Sequence, residues 1–129
     1  MDDFGYHTIW DITGADARLL KDAPALHDFF LSTLQRSHFT VLDHLVHKFN
    51  GGGEGVTGLY LLSESHLSYH TYPESHYISI DVYTCGSNGL SINEGIRGFF
   101  GGDVKVKSRT LLRGSNVVVF KEVENEAYQ

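Results

Sequence analysis

The chain has 129 residues, of which 41% are hydrophobic and 20% are charged, a composition that predicts one globular domain. Sixteen acidic residues against ten basic ones give a formal net charge of −6, which argues against a general affinity for nucleic acid or anionic membranes. No signal peptide or membrane-spanning apolar run is visible, and a single cysteine excludes an internal disulfide. We therefore expect a soluble, cytoplasmic protein.

The first predicted strand and the first predicted helix lie in the first third of the chain. Residues 6–12 predict a strand. Asp22 comes directly before Ala23 and Pro24, an order typical of a helix start in which an aspartate caps the first turn. Apolar residues then recur at helical spacing, so we expect this helix to pack one face on a core and to end near Ser37.

Two strands follow, and a glycine-rich loop separates them. Residues 39–49 and 56–62 are the apolar stretches that predict these strands. Gly51–Gly55 contains four glycines, which favours a turn or a flexible loop.

A β-hairpin is predicted in the middle of the chain. Residues 67–72 and 77–85 flank the short segment Pro73–His76, as the two strands of a hairpin flank its loop. In the second strand the apolar or small residues alternate with polar and aromatic ones, so one face is buried and the other is not. The residues expected on the buried face are Ile78, Ile80, Val82 and Thr84.

The last third of the chain predicts one more helix and two closing strands. We expect a weaker helix over residues 91–100, ended by Gly101 and Gly102, and strands over 104–112 and 117–123. The acidic tail, 122–129, is expected to fray. Several strands with two segregated helices indicate an α+β fold, a two-layer sandwich of a mainly antiparallel sheet packed on two helices.

A metal site is the first hypothesis for the reactive side chains concentrated between residues 63 and 74. His66 and His70 are four residues apart, but four strand positions span about 13 Å, which is too far for one ion. His44 and His47 are three apart on another predicted strand, so they face opposite ways. The sequence therefore predicts no metal site.

Nucleophilic catalysis is the next hypothesis. The chain lacks the GxSxG turn of a Ser–His–Asp hydrolase. Ser65 at a strand-initiating bend, His70 five residues on, and Cys85 returning on the next strand could instead form a compact site. By spacing alone the alternative stays open, with Cys85 as a small buried apolar residue and His70 as a structural histidine.

A basic stripe is predicted on one face of the strand over residues 104–112. Lys105, Lys107 and Arg109 alternate with other residues there. With a net charge of −6 and no interleaved aromatic residues, a solvated or edge face is favoured over a nucleic-acid interface.

Four motifs, in this order and at this spacing, give the chain a specific resemblance. They are Val56-Thr57-Gly58, Leu62-Ser63-Glu64-Ser65-His66-Leu67, His70-Thr71-Tyr72-Pro73-Glu74 and Asp81-Val82-Tyr83-Thr84-Cys85-Gly86. Together they strongly resemble the prokaryotic S-adenosylmethionine decarboxylase proenzymes, a pyruvoyl-dependent family, and the likeness extends from Gly5 to about Arg113.

The resemblance implies that residues 1–129 form one self-processing domain. It places an autocatalytic cleavage between Glu64 and Ser65, with Ser65 becoming a covalently bound pyruvoyl group. Thr57 matches the hydroxyl residue that assists the acyl shift, and His70 matches the histidine that accepts a proton during processing. The products would be a β chain, 1–64, and an α chain, 65–129.

The resemblance also implies the chemistry of a carboxy-lyase. The pyruvoyl group from Ser65 would form a Schiff base with S-adenosylmethionine, whose decarboxylated product is the aminopropyl donor for polyamine (spermidine) synthesis. Cys85 matches the proton donor in turnover, Glu74 the acid that binds the ribose, and Phe49 the ring that stacks on adenine. The family implies no metal and a homodimer of processed αβ units with sites at the interface. Whether a polyamine acts as an effector stays open.

Two departures from the family pattern lie near the expected nucleoside pocket. Tyr72 stands where many members carry tryptophan, and the Gly51–Gly55 loop is longer and richer in glycine than expected. A relative with the same self-cleaving core that decarboxylates free arginine or ornithine is therefore the alternative within the same chemistry. A non-enzymatic α+β module that binds a ligand or partner is the alternative of another class.

Overall fold

Seven strands form one antiparallel sheet in the computed structural model, which describes residues 3–85, 92–118 and 120–123. The order across the sheet is β2-β3-β4-β5-β1-β6-β7, so β4 and β5 lie at its centre. The elements are β1 (Gly5–Thr13), α1 (Ala17–Leu20), α2 (Ala23–Arg36), β2 (Val41–Lys48), β3 (Val56–Leu62), β4 (Ser65–Tyr72), β5 (Tyr77–Thr84), α3 (Asn93–Phe100), β6 (Lys105–Arg113) and β7 (Lys121–Val123).

The helices cover one face of the sheet, and the hydrophobic core lies between the two layers. The Asp22 carboxylate accepts a hydrogen bond from the backbone N–H of Ala25 at 3.1 Å, so α2 begins where its cap predicts. Phe30 of α2 is fully buried and stacks on Tyr69 of β4 with ring centroids 4.3 Å apart. Trp10 of β1 is buried in the same core. We call this side of the sheet the covered face.

The opposite side, which we call the open face, keeps its side chains accessible. Exposed apolar residues occupy one margin of it: Leu45 of β2 is 65% exposed and Leu59 of β3 is 46% exposed. Polar and aromatic side chains fill the rest of the face. Strand register and burial place the following residues of β1 to β5 on the open face: His7, Ile9 and Asp11 of β1; Asp43, Leu45 and His47 of β2; Thr57, Leu59 and Leu61 of β3; His66, Ser68 and His70 of β4; and Tyr77, Ser79, Asp81 and Tyr83 of β5.

The predicted α+β sandwich is confirmed, and so is most of the element order. The 56–62 strand has the predicted bounds, and the hairpin loop contains a 3₁₀ turn over Pro73–Ser75. The residues expected on the buried face of β5 are all buried. Lys105, Lys107 and Arg109 share one face of β6. Arg109 pairs with Glu122 at 3.6 Å, which fits a solvated edge.

The structure differs from the predictions at several boundaries. The one-turn helix α1, capped by the Asp16 carboxylate, was not predicted because four residues show no helical periodicity. The predicted 117–123 strand is wrong in extent: Val118 is 96% exposed, and the strand covers only the last three residues, which pair with β6. Residues 86–91 and 124–129, which hold the start of the predicted 91–100 helix and most of the tail, lie outside the described residues. No helix in the described ranges has the length and apolar character that crossing a membrane requires.

Candidate active site

A two-residue turn between β3 and β4 holds Ser65 in an unusual backbone conformation. The turn consists of Ser63 and Glu64, and Ser65 is the first residue of β4 with φ at 147°. This φ is positive, a region that residues with a β-carbon rarely occupy, so the backbone at Ser65 is strained. Two hydrogen bonds to Thr40 hold the turn. The backbone N–H of Thr40 donates to the Glu64 carboxylate at 3.2 Å, and the carbonyl oxygen of Thr40 accepts a hydrogen bond from the backbone N–H of Ser63 at 3.0 Å.

Cys85 contacts the peptide bond that joins Glu64 to Ser65. Its backbone N–H donates to the carbonyl oxygen of Glu64 at 3.1 Å, and its thiol points at the same oxygen at 3.4 Å. The predicted approach of Cys85 to Ser65 is therefore confirmed. The alternative of a buried apolar cysteine is wrong, because the Cys85 side chain is exposed directly after the end of β5. Two donors on one carbonyl oxygen favour negative charge at that atom.

A second group of predicted site residues lies at the other end of β4. Thr57 of β3 and His70 of β4 are cross-strand neighbours, and Thr57 Oγ1 lies 3.0 Å from His70 Nδ1. This contact fixes the orientation of the imidazole ring. A cavity of about 410 Å³ opens beside the pair. It is lined by Phe49, Gly51, Gly55, Thr57, His70, Thr71, Tyr72 and Glu74.

Aromatic rings and one carboxylate shape this cavity. Phe49 is 50% exposed, and its ring lies against His47 with centroids 4.6 Å apart. Tyr72 stacks on Tyr77 of β5 with centroids 5.4 Å apart and an angle of 17° between the rings. Glu74, in the 3₁₀ turn, supplies the carboxylate that lines the cavity. Such a cavity can hold a flat ring beside a polar group.

The two groups do not meet within one chain. Ser65 and His70 are five positions apart on one continuous strand, which separates them by about 16 Å. The expectation of one compact site containing Ser65, His70 and Cys85 is therefore wrong for a single subunit. The structure brings Cys85 to Ser65 at one end of β4, and Thr57 to His70 at the other end.

A polar network that sequence reasoning missed lies on the open face between these ends. The Asp81 carboxylate accepts a hydrogen bond from Ser68, lies 2.7 Å from His7 Nε2 and lies 3.9 Å from His66 Nε2. Partial burial raises the pKa of Asp81, but the hydrogen bonds from His7 and Ser68 outweigh it and hold the pKa below its usual value. The alternation of β5 places Asp81 on this face, whereas its partners come from other strands.

The histidines stand where the strand geometry predicts. His66 and His70 are both exposed on the open face of β4, four positions apart. His47 shares that face, whereas His44 stacks toward His27 and Tyr60 on the covered side, with the two imidazole centroids 4.5 Å apart. Within the described ranges, no three His, Cys, Asp or Glu side chains are grouped as metal ligands.

Comparison with known proteins identifies the family. The sequence profile described as S-adenosylmethionine decarboxylase matches residues 6–114. The S-adenosylmethionine decarboxylase proenzyme of Pyrococcus horikoshii is 39% identical over 88 residues, or 68% of this chain and 62% of the relative. The Bacillus cytotoxicus protein of the same name is 41% identical over 86 residues, or 67% of this chain and 65% of the relative. The matched region thus spans less than two thirds of these relatives.

The fold is also that of a solved structure in this group. The crystal structure of the adenosylmethionine decarboxylase from Aquifex aeolicus VF5 superposes with a TM-score of 0.68. The superposition covers 96% of this chain and all of the other, at 22% sequence identity. The structural similarity supports the fold, and the family profile, which matches most of the sequence, identifies the family. The chain belongs to the S-adenosylmethionine decarboxylase family.

Proposed function

We propose that the chain is a proenzyme that cleaves itself between Glu64 and Ser65 and then decarboxylates S-adenosylmethionine. The observation that carries this proposal is the strained Ser65 next to a carbonyl whose oxygen faces two donors of Cys85. The strain raises the energy of the intact peptide bond, and the donors stabilise charge that develops on the carbonyl oxygen. Both effects lower the barrier to attack on this one bond. The family assignment and the names of the relatives as proenzymes add support.

In the proposed processing, the hydroxyl of Ser65 attacks the carbonyl carbon of Glu64, and the amide becomes an ester. The N–H and thiol of Cys85 hold the oxyanion. A base must then remove the α-proton of Ser65, so that the ester breaks and Glu64 leaves as a free carboxylate. His70, oriented by Thr57, fits this role. The dehydroalanine left at residue 65 tautomerises to an imine, and one water molecule hydrolyses the imine, which releases ammonia and leaves a pyruvoyl group. This group starts the new α chain, 65–129, and the β chain is 1–64.

The separation of Ser65 from His70 requires a second copy of the chain for this step. In this dimer, two open faces would pack against each other, and the two-fold axis would run perpendicular to the strands and parallel to the sheets. The Ser65 end of β4 would then lie over the His70 end of the partner's β4. His70 of the partner subunit would then reach Ser65, and two equivalent sites would form. The exposed Leu45 and Leu59 lie on the face that this homodimer buries. A dimer of processed αβ units is thus part of the proposal.

In turnover, the pyruvoyl group supplies a carbonyl that captures the substrate amine and accepts the electrons left when carbon dioxide departs. Cys85, exposed beside Ser65, fits the donor that returns a proton to the substrate carbon. Phe49 offers a ring for stacking on adenine, and Glu74 offers a carboxylate for the ribose hydroxyls. The decarboxylated product is the aminopropyl donor for spermidine synthesis.

Mass spectrometry and a decarboxylation assay test the proposal. Intact mass should show two fragments that divide after Glu64, with an α chain blocked to Edman degradation, and the protein should release labelled carbon dioxide from carboxyl-labelled S-adenosylmethionine. Release from arginine or ornithine alone would overturn the substrate assignment and keep the cleavage. A stable uncut chain that only binds a ligand would favour the non-enzymatic module. Ser65→Ala should stay uncut, whereas the matched change Ser63→Ala, one position before the bond, should not prevent cleavage.

A further inference from the structure

The glycine-rich loop between β2 and β3 lies directly against Glu74. A β-carbon placed on Gly53 would lie 2.5 Å from Cδ of Glu74 and closer still to its Oε2. The α-carbon of Gly53 therefore occupies a position from which any side chain would displace the carboxylate. Glu74 lines the cavity that also contains Phe49. The loop therefore restricts the positions that the Glu74 carboxylate can occupy.

The loop cannot easily retreat from Glu74. Phe49 donates its backbone N–H to the carbonyl of Gly55 at 2.8 Å, which closes the base of the loop. Gly55 in turn lies so close to β4 that a β-carbon there would overlap the backbone carbonyl oxygen of Thr71. Glu74, in contrast, is exposed and ends in a flexible carboxylate. A side chain added at Gly53 would therefore move the carboxylate of Glu74 rather than the loop.

We propose that Gly53 is a specificity-determining positioning residue, because its lack of a side chain leaves room for the Glu74 carboxylate beside the cavity, where it can meet a ligand with two neighbouring hydroxyls. Two carboxylate oxygens can accept hydrogen bonds from both hydroxyls of a ribose at once when the carboxylate stands beside the cavity. Free arginine or ornithine has no such diol. Gly53 therefore favours a nucleoside-bearing substrate over a free amino acid. This inference rests on the proposed function.

Two glycine substitutions, one in the loop and one outside it, form the test. Gly53→Ala should raise the KM for S-adenosylmethionine about tenfold, as expected when a hydrogen bond to a charged group is lost, and leave kcat within about twofold. Gly102→Ala is the matched control, because a β-carbon there meets nothing within 4 Å and Gly102 does not line the cavity. The control should keep the wild-type KM. Self-cleavage and the urea midpoint should be unchanged in both, since neither change alters the core.

A double-mutant cycle with Glu74→Asp separates positioning from a general loop effect. Aspartate is shorter by one methylene, so its carboxylate no longer meets the new methyl group. Glu74→Asp alone should raise KM, but adding Gly53→Ala to it should raise KM by less than about twofold. An equal effect of Gly53→Ala on KM in the presence and in the absence of Glu74→Asp would overturn the inference. So would equal KM values for Gly53→Ala and Gly102→Ala.

A binding measurement distinguishes failure of this inference from failure of the proposed function. Methylthioadenosine carries the nucleoside without the amine, and its Kd for the uncut Ser65→Ala protein can be measured by calorimetry. Gly53→Ala in that background should weaken binding about tenfold, and Gly102→Ala should not. If the wild-type protein never decarboxylates S-adenosylmethionine, the proposed function fails. If it does, and methylthioadenosine binds both variants equally, only the role of Gly53 fails.

Discussion

The two faces of the sheet differ in burial and in polarity. The covered face buries Trp10, Tyr60 and Tyr69 against the helices, and burial raises the pKa of Tyr60 to about 12. The open face carries His70 and Asp81 together with leucines that are about half exposed. Every strand contributes to both faces, because successive side chains point to opposite sides.

Under the proposed function, one set of strands specifies the fold through one face and the reaction through the other. Changes on the covered face should act on folding, and changes on the open face should act on cleavage and turnover. Four predictions test this division, and the first has an all-or-none outcome.

Co-expression of two inactive variants tests whether the open faces of two subunits share a site. Ser65→Ala lacks the proposed nucleophile and His70→Ala lacks the proposed base, so each alone should remain uncut at its full mass. In a mixed dimer, the partner's His70 meets the intact Ser65 of the His70→Ala chain. We therefore expect cleavage of the His70→Ala chain only, measured by intact mass with a tag on one chain.

Copurification through the tag is the control, because it shows that the mixed dimer forms and that both variants fold. A mixed dimer in which neither chain is cut would contradict the proposal that subunits share the site. Cleavage of His70→Ala when expressed alone would instead remove His70 from the processing step.

On the covered face, Phe30→Ala should lower the free energy of unfolding by about 3–5 kcal/mol, because it leaves a cavity beside Tyr69. Leu59→Ala on the open face is the comparison, since that side chain is 46% exposed. Its expected loss is about 1 kcal/mol or less. Urea denaturation of the uncut Ser65→Ala protein measures both, at a concentration low enough that light scattering shows only the monomer, because the proposed dimer would bury Leu59. Similar losses would show that the two faces are not divided in this way.

Cys85→Ser should separate the two proposed roles of this residue. The backbone N–H to the Glu64 carbonyl remains, so cleavage should continue more slowly. Turnover of S-adenosylmethionine by the cleaved protein should fall about a hundredfold, the size expected when a proton donor is replaced by a poor one. The kcat of fully processed protein is the measurement. An unchanged kcat would assign the proton donor elsewhere.

Asp81→Asn should give the smallest effect, about 1 kcal/mol of unfolding free energy at neutral pH. Because hydrogen bonds hold the folded pKa of Asp81 below its usual value of 3.8, its contribution is present above pH 4 and disappears as the pH falls through the folded pKa. Wild type and Asp81→Asn should therefore converge in stability below about pH 4, with the denaturation midpoint as the measurement. If the stability difference between wild type and Asp81→Asn stayed constant across pH, ionisation of Asp81 would not be its cause.

Local signals in the sequence predict the fold well, but they predict only part of the candidate site. Asp22 and Pro24 fix the start of α2, and the alternation in β5 fixes its buried face, because both rules act over a few residues. The approach of Cys85 to Ser65 follows from hairpin pairing. The contacts of Asp81 with His7 and of Gly53 with Glu74 join residues from distant parts of the chain, so no local pattern reports them.

The position of β4 inside the sheet also bears on how the protein would refold. β4 is hydrogen-bonded to β3 on one side and to β5 on the other, so a break in the turn before Ser65 leaves the new terminus held in place. After such a break, however, unfolding releases two polypeptides, and reassembly becomes a bimolecular reaction. The cut protein should therefore show a denaturation midpoint that rises with protein concentration and should recover poorly after full denaturation. The uncut single chain would therefore be the species that folds, and a slow rate of unfolding would keep the cut protein folded.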